Sequence, residues 1–284
     1  MMALLSLLAG VATGLADSDS DFWSNRRQLI IGGNQASSFE HTHQVAISTK
    51  PKLQESTFHC GGSLLAADVV LTAAHCLWDG DKAGHPQLIQ VSDLGIMIGY
   101  PDLDVASRAD LVKVKSIHKH PAYDGWTNDL AVIILAGCQT DITPIKLAGP
   151  GSPYDKANQK VVALGYGKVG NFGESFHKLY KAETSWFEGD TCRLTAAALG
   201  FNYVPKIELC FGADGQGVCS GDSGGPVTVR TAQGSHVQVG VTSFGSPVCG
   251  QVPDFAVRLS NYQAWLKEKT ALDTCPYAAA IFDT

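Results

Sequence analysis

The sequence predicts an all-β protein, built as barrels or sandwiches. Short runs rich in β-branched residues recur between turn residues at 44–48, 69–72, 111–114, 161–164 and 237–242. No helical segments alternate with them, as a parallel sheet would require. The one helix legible in the letters comes late. Residues 261–269 set Tyr262, Trp265 and Leu266 on one face, after Ser260 as a candidate cap. A chain of 284 residues with 45% hydrophobic content can bury a large core, as one domain or two small ones.

Taken in order, residues 1–16 read as a signal peptide. An apolar run at 3–11 precedes Gly14-Leu15-Ala16, small at the two positions a signal peptidase reads, although no Lys or Arg comes before the run. That run falls short of the roughly 20 apolar residues that span a bilayer, so export rather than a membrane anchor is expected. Eight cysteines agree with an oxidising, extracellular destination. None stands in a Cys-x-x-Cys pair, which argues against a cysteine metal site. No Asn-x-Ser/Thr acceptor occurs, so N-glycosylation is not expected. The net charge of -6, without a basic run, argues against a nucleic-acid partner. Residues 17–29 are acidic and polar, then end in Asn25-Arg26-Arg27-Gln28-Leu29. Residues 77–97 read as a solvated surface loop.

The chemistry gathers around Gly217-Val218-Cys219-Ser220-Gly221-Asp222-Ser223-Gly224-Gly225-Pro226. So many glycines, closed by a proline, suit a sharply turned loop that holds one hydroxyl outward. A serine hydroxyl is a poor nucleophile unless a base takes its proton and a third group orients that base. Leu71-Thr72-Ala73-Ala74-His75-Cys76 offers an imidazole, and Asn128-Asp129-Leu130-Ala131-Val132-Ile133 a carboxylate between a turn and an apolar strand. The chain order His75, Asp129, Ser223 is that of chymotrypsin, whereas an α/β-hydrolase places serine first. On these three motifs the sequence resembles the trypsin/chymotrypsin family of serine endopeptidases. A homologue kept only for binding would usually lose one of the three residues, and here all stand within full motifs.

The resemblance implies two packed six-stranded antiparallel β-barrels, at about 30–147 and 148–258, with a C-terminal helix and tail at about 260–284. In that family the imidazole is the general base, here His75, and Asp129 holds its tautomer. The N–H groups of Gly221 and Ser223 form the oxyanion hole. Ile30-Ile31-Gly32-Gly33 resembles the mature N-terminus, making 17–29 an activation propeptide. Its new α-amino group would pair with Asp222, a carboxylate that burial would otherwise penalise. Most relatives are cut after Arg or Lys, but Leu29 precedes Ile30 here. This points to activation by a protease preferring apolar residues, or by the enzyme itself. Family pairs imply disulfides Cys60–Cys76, Cys192–Cys210 and Cys219–Cys249. Cys138 and Cys275 have no template; they either remain thiols or, as we expect, pair and tether the C-terminal segment to the first barrel.

The resemblance also locates the primary pocket. Gly217, six residues before the nucleophile, sits at a neutral floor, with Val218 beside it as an apolar wall. Ser243-Phe244-Gly245 resembles the family's Ser-Trp-Gly edge, keeping an aromatic face and a wide entrance. Asp254 follows Pro253 where trypsin and chymotrypsin have Pro-Gly, so a carboxylate stands near the pocket. A neutral floor with an acidic wall is similar to the brachyurin (crab collagenase) group. Cleavage after Leu, Phe or Tyr is expected, with basic residues secondary; cleavage after Arg or Lys is the alternative. Protein or peptide substrates and protease inhibitors are the partners implied, with a monomer as the default and no organic cofactor. His41-x-His43 and His118-x-His120 have a spacing a metal could use on a strand, but no third ligand is legible, so packing or surface roles are expected. Asp102, Asp104 and Asp110 lie where some relatives bind calcium, without reproducing the ligand pattern.

Overall fold

The computed structural model describes residues 32–37, 40–49, 58–80, 86–168, 177–272, 275 and 281–283. The segments 1–16 and 17–29, with Leu29 and Ile30, lie outside them. The first series of strands is β1 (Asn34–Gln35), β2 (Gln44–Thr49), β3 (Phe58–Ala66), β4 (Val69–Thr72), β5 (Trp78–Gly80), β6 (Pro86–Leu88), β7 (Leu94–Ile98), β8 (Val114–Lys119) and β9 (Ala131–Leu135). The second series is β10 (Lys146–Ala148), β11 (Gln159–Gly165), β12 (Tyr180–Phe187), β13 (Glu208–Phe211), β14 (Pro226–Arg230), β15 (His236–Phe244), β16 (Asp254–Arg258) and β17 (Phe282–Asp283). Among the described residues two α-helices accompany them, α1 (Asp190–Ala198) and α2 (Gln263–Thr270).

The first sheet is antiparallel in the order β7-β2-β3-β4-β9-β8. Its edge strands meet through the lone Ile96–Val112 bridge, so the sheet curls into a half-barrel. The second closes fully: β14-β11-β12-β13-β16-β15 returns to β14 by a further antiparallel pairing. Closure removes the exposed strand edges an open sheet would carry. β1 adds to the outside of β12, and β10 runs parallel to both β15 and β17. The all-β arrangement of two six-stranded units with a C-terminal helix is therefore present, the first less completely closed than the second.

Alternation along the strands explains where the cores sit. Val45, Ile47, Leu64, Leu71 and Ile133 are fully buried inside the first sheet, while Val161, Trp186, Phe211 and Val227 fill the second. The first core also takes in Val241, Val257, Leu259 and Leu266, so α2 and one wall of the second barrel seal it. Four disulfides join Cys60–Cys76, Cys138–Cys275, Cys192–Cys210 and Cys219–Cys249.

Several elements differ from the sequence reading. The strand expected over 111–114 begins only at Val114, since Val112 makes just the isolated bridge. Ser260 does not cap α2: the chain leaves β16 into a 3-10 turn over Leu259–Tyr262, and α2 starts behind Tyr262 without a side-chain cap. Burial of Leu259 and Tyr262 draws that turn inward, taking Ser260 out of capping position. Among the described residues of 77–97, positions 87, 88 and 90–93 are exposed as expected of a surface loop. The stretch also holds the paired strands β5 and β6 and the start of β7, with Leu77, Ile89, Leu94 and Ile96 in the core. Helix α1 had only weak signals, a Gly189 with φ of 123° before it and an Ala-rich last turn.

Candidate active site

Strand register brings two of the candidate side chains together. Thr72, at the end of β4, pairs with Ala131, at the start of β9. His75 follows three residues after the first and Asp129 stands two before the second, on the same side of the ladder. A 3-10 turn over His75–Leu77 lifts the imidazole, and Cys60–Cys76 ties that turn to β3. Asn128 takes a left-handed conformation, φ 56°, a turn asparagine tolerates better than most residues. Its side chain bonds Ala122 O and accepts from the Tyr262 hydroxyl, fixing the corner from which Asp129 projects.

The Asp129 carboxylate accepts three hydrogen bonds. His75 Nδ1 lies 2.7 Å from Oδ2, and the His75 backbone N–H donates to Oδ1 at 2.8 Å. Ser243 Oγ donates to Oδ2 at 2.5 Å. The carboxylate is an acceptor, so the imidazole carries its proton on Nδ1 and keeps the Nε2 lone pair free for a proton. Burial disfavours the imidazolium, but the hydrogen bond and charge of Asp129 favour it more, and the His75 pKa is raised above its ordinary 6.5.

The serine loop is anchored from both sides. Gly61 N–H donates to Ser223 O at 2.7 Å, while Thr72 Oγ1 bonds Gly61 O at 2.8 Å. Gly224 N–H reaches Thr242 O, and Thr242 N–H reaches Gly225 O. Gly221 and Gly224 have φ of 100° and 77°. A Cβ on Gly224 would collide with Thr72 Oγ1, and one on Gly221 would come within 2.9 Å of Gly167 Cα. Ser223 is thus held against the strands that carry His75. Among the described residues no hydrogen bond joins its hydroxyl to the His75 ring. Neither the Gly221 nor the Ser223 N–H donates to a backbone carbonyl among those residues.

Asp222 points the other way, into the second barrel. It is fully buried and accepts from Gly167 N–H and Cys219 N–H, each at 2.8 Å. Gly165 and Gly167 leave the room it occupies, since a Cβ on either would collide with its carboxylate. Burial raises its pKa to about 6 despite the two N–H donors.

A pocket of about 240 Å³ opens beside Ser223, lined by Val218, Ser220, Ser243, Phe244, Gly245 and Asp254 among others. Gly217 does not face it directly, because the Asp254 carboxylate fills the space in front. A Cβ on Gly217 would collide with Oδ2, and one on Gly245 with Oδ1. Val218 N–H donates to Oδ2 at 2.9 Å. Desolvation outweighs that bond, and with the nearby Asp222 charge it lifts the Asp254 pKa to about 7. Beside the pocket, Phe244 packs on Phe255 and edge-on against Phe201 and Trp126. Sequence reading passed over Trp126 and Phe201. The signal available was a tryptophan in a Gly125-Trp126-Thr127 turn, and its 55% exposure marks an apolar surface beside the cleft.

The remaining candidates are placed apart. Asp102 accepts from Asp104 N–H, Asp104 meets His177, and Asp110 accepts from Ser107, so the three carboxylates are engaged separately. His118 contacts Ser116 and His120 packs edge-on against Tyr262 and Trp265. His41 and His43 are buried.

The family described as Trypsin matches residues 30–266. The chain is 33% identical to "Trypsin Blo t 3" of Blomia tropicalis over 252 residues, 84% of this chain and 85% of that one. It is 34% identical to a "Trypsin-like protease" of Streptomyces glaucescens over 218 residues, 76% and 72% of the two chains. It is 30% identical to "Trypsin 5G1" of Aedes aegypti over 274 residues, 93% and 94%. The chain belongs to the trypsin family of serine proteases, and its activity is that of a serine endopeptidase.

An enzyme using this imidazole as its base loses kcat/KM in acid, with a midpoint above 6.5, because the raised pKa keeps His75 protonated longer. By the same sign, the stability drawn from the imidazolium–carboxylate pair is complete below 6.5 and fades as pH rises through the raised value. Asp129→Asn should lower kcat by about 10⁴-fold, through the wrong tautomer, and shift the acid midpoint downward. A pH–rate profile of both proteins measures this; an unmoved midpoint would refute the pairing as its cause.

Proposed function

We propose that this endopeptidase is secreted as a zymogen and cleaves through an acyl-enzyme on Ser223. His75 Nε2 takes the hydroxyl proton as Ser223 Oγ attacks the scissile carbonyl, then returns it to the leaving amine. Asp129 holds the tautomer and faces the imidazolium that forms. The Gly221 and Ser223 N–H groups meet the oxygen as it becomes anionic, a contribution of about 2.7–4 kcal/mol per donor. What carries the reading is the His75–Asp129 bond beside a serine loop pinned to the same strands. Bonds between nucleophile and base commonly tighten only in the substrate complex, which suits the lack, among the described residues, of a bond from the Ser223 hydroxyl to His75.

Maturation would follow a cut between Leu29 and Ile30. The freed ammonium supplies the counter-charge for Asp222, whose pKa of about 6 reflects burial without one. Four disulfides support an oxidising destination, and among the described residues no helix is long and apolar enough to cross a membrane.

For specificity, the Asp254 carboxylate supports broad cleavage. When protonated it leaves a neutral pocket for Leu, Phe or Tyr; when ionised it can pair with Lys or Arg. Cleavage after basic residues alone is the second reading, favoured by the placement of that carboxylate at the pocket.

Three outcomes are expected. A covalent serine-directed inhibitor should titrate one site per mature molecule, and none in Ser223→Ala; labelling that survives the substitution would end the triad assignment. N-terminal sequencing of active protein should return Ile30, whereas Gln28 would rule out a cut after Leu29. In peptides differing at one position, cleavage after Arg or Lys relative to Leu or Phe should rise as pH passes through about 7. Asp254→Asn should flatten that rise, and a ratio independent of pH in the parent enzyme would overturn the proposed role.

A further inference from the structure

Where the chain enters β2 and β15, it brings together imidazoles that the catalytic reading does not use. His41 lies just before β2 and His236 opens β15. Their rings stand edge to face with centroids 4.7 Å apart. Glu40 reaches the same point, its Oε1 3.6 Å from His41 Nε2. One ligand atom from each of Glu40, His41 and His236 lies within 4.8 Å of the others. We propose that Glu40, His41 and His236 form a binding site for a divalent transition-metal ion of the zinc class.

Three observations support it. First, the His41 side chain is fully buried and neither of its ring nitrogens has a hydrogen-bond partner. A buried imidazole left so costs free energy that a ligand bond would recover. Second, His236 is oriented as a ligating histidine would be. Thr228 Oγ1 gives its one proton to Val162 O and lies 2.9 Å from His236 Nδ1. The hydroxyl therefore accepts from Nδ1–H, and Nε2 keeps its lone pair, as in metal sites where an outer partner fixes the tautomer. Third, two imidazoles and one carboxylate are the donor set of zinc-like ions, not of calcium or magnesium. Ligand bonds of about 2.0–2.2 Å need donors closer together than they now stand, a shift within reach of side-chain rotation.

The site has an opening and a competitor. A cavity of about 310 Å³, lined by Glu40, Glu183, Arg230 and His236 among others, leaves room for a water as fourth ligand. Lys181 Nζ lies 2.8 Å from both Glu40 oxygens. A metal ion must displace that ammonium, so Lys181 sets how tightly the ion binds. An ion here would join the segment entering β2 to the first residue of β15. Ser243 lies seven residues further along β15, roughly 23 Å away in an extended strand, so occupancy acts on stability and not on the chemistry.

The test uses the full chain, stripped with a chelator, then titrated with Co²⁺ and with Zn²⁺. Expected are visible d–d bands of four-coordinate Co²⁺, their displacement by Zn²⁺, and a Zn²⁺-dependent rise in melting temperature at unchanged peptidase activity. His236→Gln and Glu40→Gln should each weaken Zn²⁺ binding at least about tenfold. Lys181→Met should tighten it, a gain that a misfolded variant could not produce. His75→Ala, which removes the active-site imidazole, should leave the bands in place. Binding that survives both ligand substitutions, bands that vanish with His75, a Lys181→Met variant no tighter than the parent, or no Co²⁺ bands at all would overturn the site.

Discussion

The pairing of Thr72 with Ala131 is the constraint on which the cleft rests. Slip that register by one residue and Asp129 moves away from His75. The two buried strands have little freedom to slip, because Val70, Leu71, Val132 and Ile133 are all fully enclosed. Core packing and active-site geometry are therefore one requirement. The bond at 2.7 Å between His75 and Asp129 is kept by the hydrophobic interior beneath it.

The second barrel contributes by the same logic with opposite chemistry. Its inner end holds two carboxylates, Asp222 and Asp254, both enclosed and both raised in pKa by desolvation. Neither could be there without glycines: Gly165 and Gly167 make room for one, Gly217 and Gly245 for the other. A protein interior ordinarily excludes such groups unless they are paired. Here burial favours the neutral acid in both, and both lie beside one serine loop. Asp222 lies within the second barrel against Gly165 and Gly167, and Asp254 lines the pocket beside Ser223.

Much of the site was legible because its signals are local. The glycines around Ser223, the His75-Cys76 pair and the Asp129 turn each carry their meaning within a few letters. Strands such as β4 and β11 were legible because β-branched runs bounded by turns have few alternatives. What escaped the letters depends on distance. The parallel pairing of β10 with β15 joins short segments that carry no periodicity. Residues 77–97 read as a surface loop, yet Ile89 and Leu94 enter the first core. Ser260 reads as a cap only if the turn before α2 is ignored. The partner of His41 was invisible for the same reason: His236 lies almost two hundred positions away, brought near only by barrel closure.

The Cys138–Cys275 link and the β10–β17 pairing carry a consequence for biogenesis. The link closes a loop of 137 positions, and Ile281 and Phe282 are packed into the first core. That half of the molecule cannot be finished when its own strands leave the ribosome; it must wait for a stretch translated after the whole second barrel. A nascent chain paused midway would hold an incompletely covered apolar surface and an unmatched thiol. Closing the first half of the fold is thus tied to where the sequence places its last cysteine.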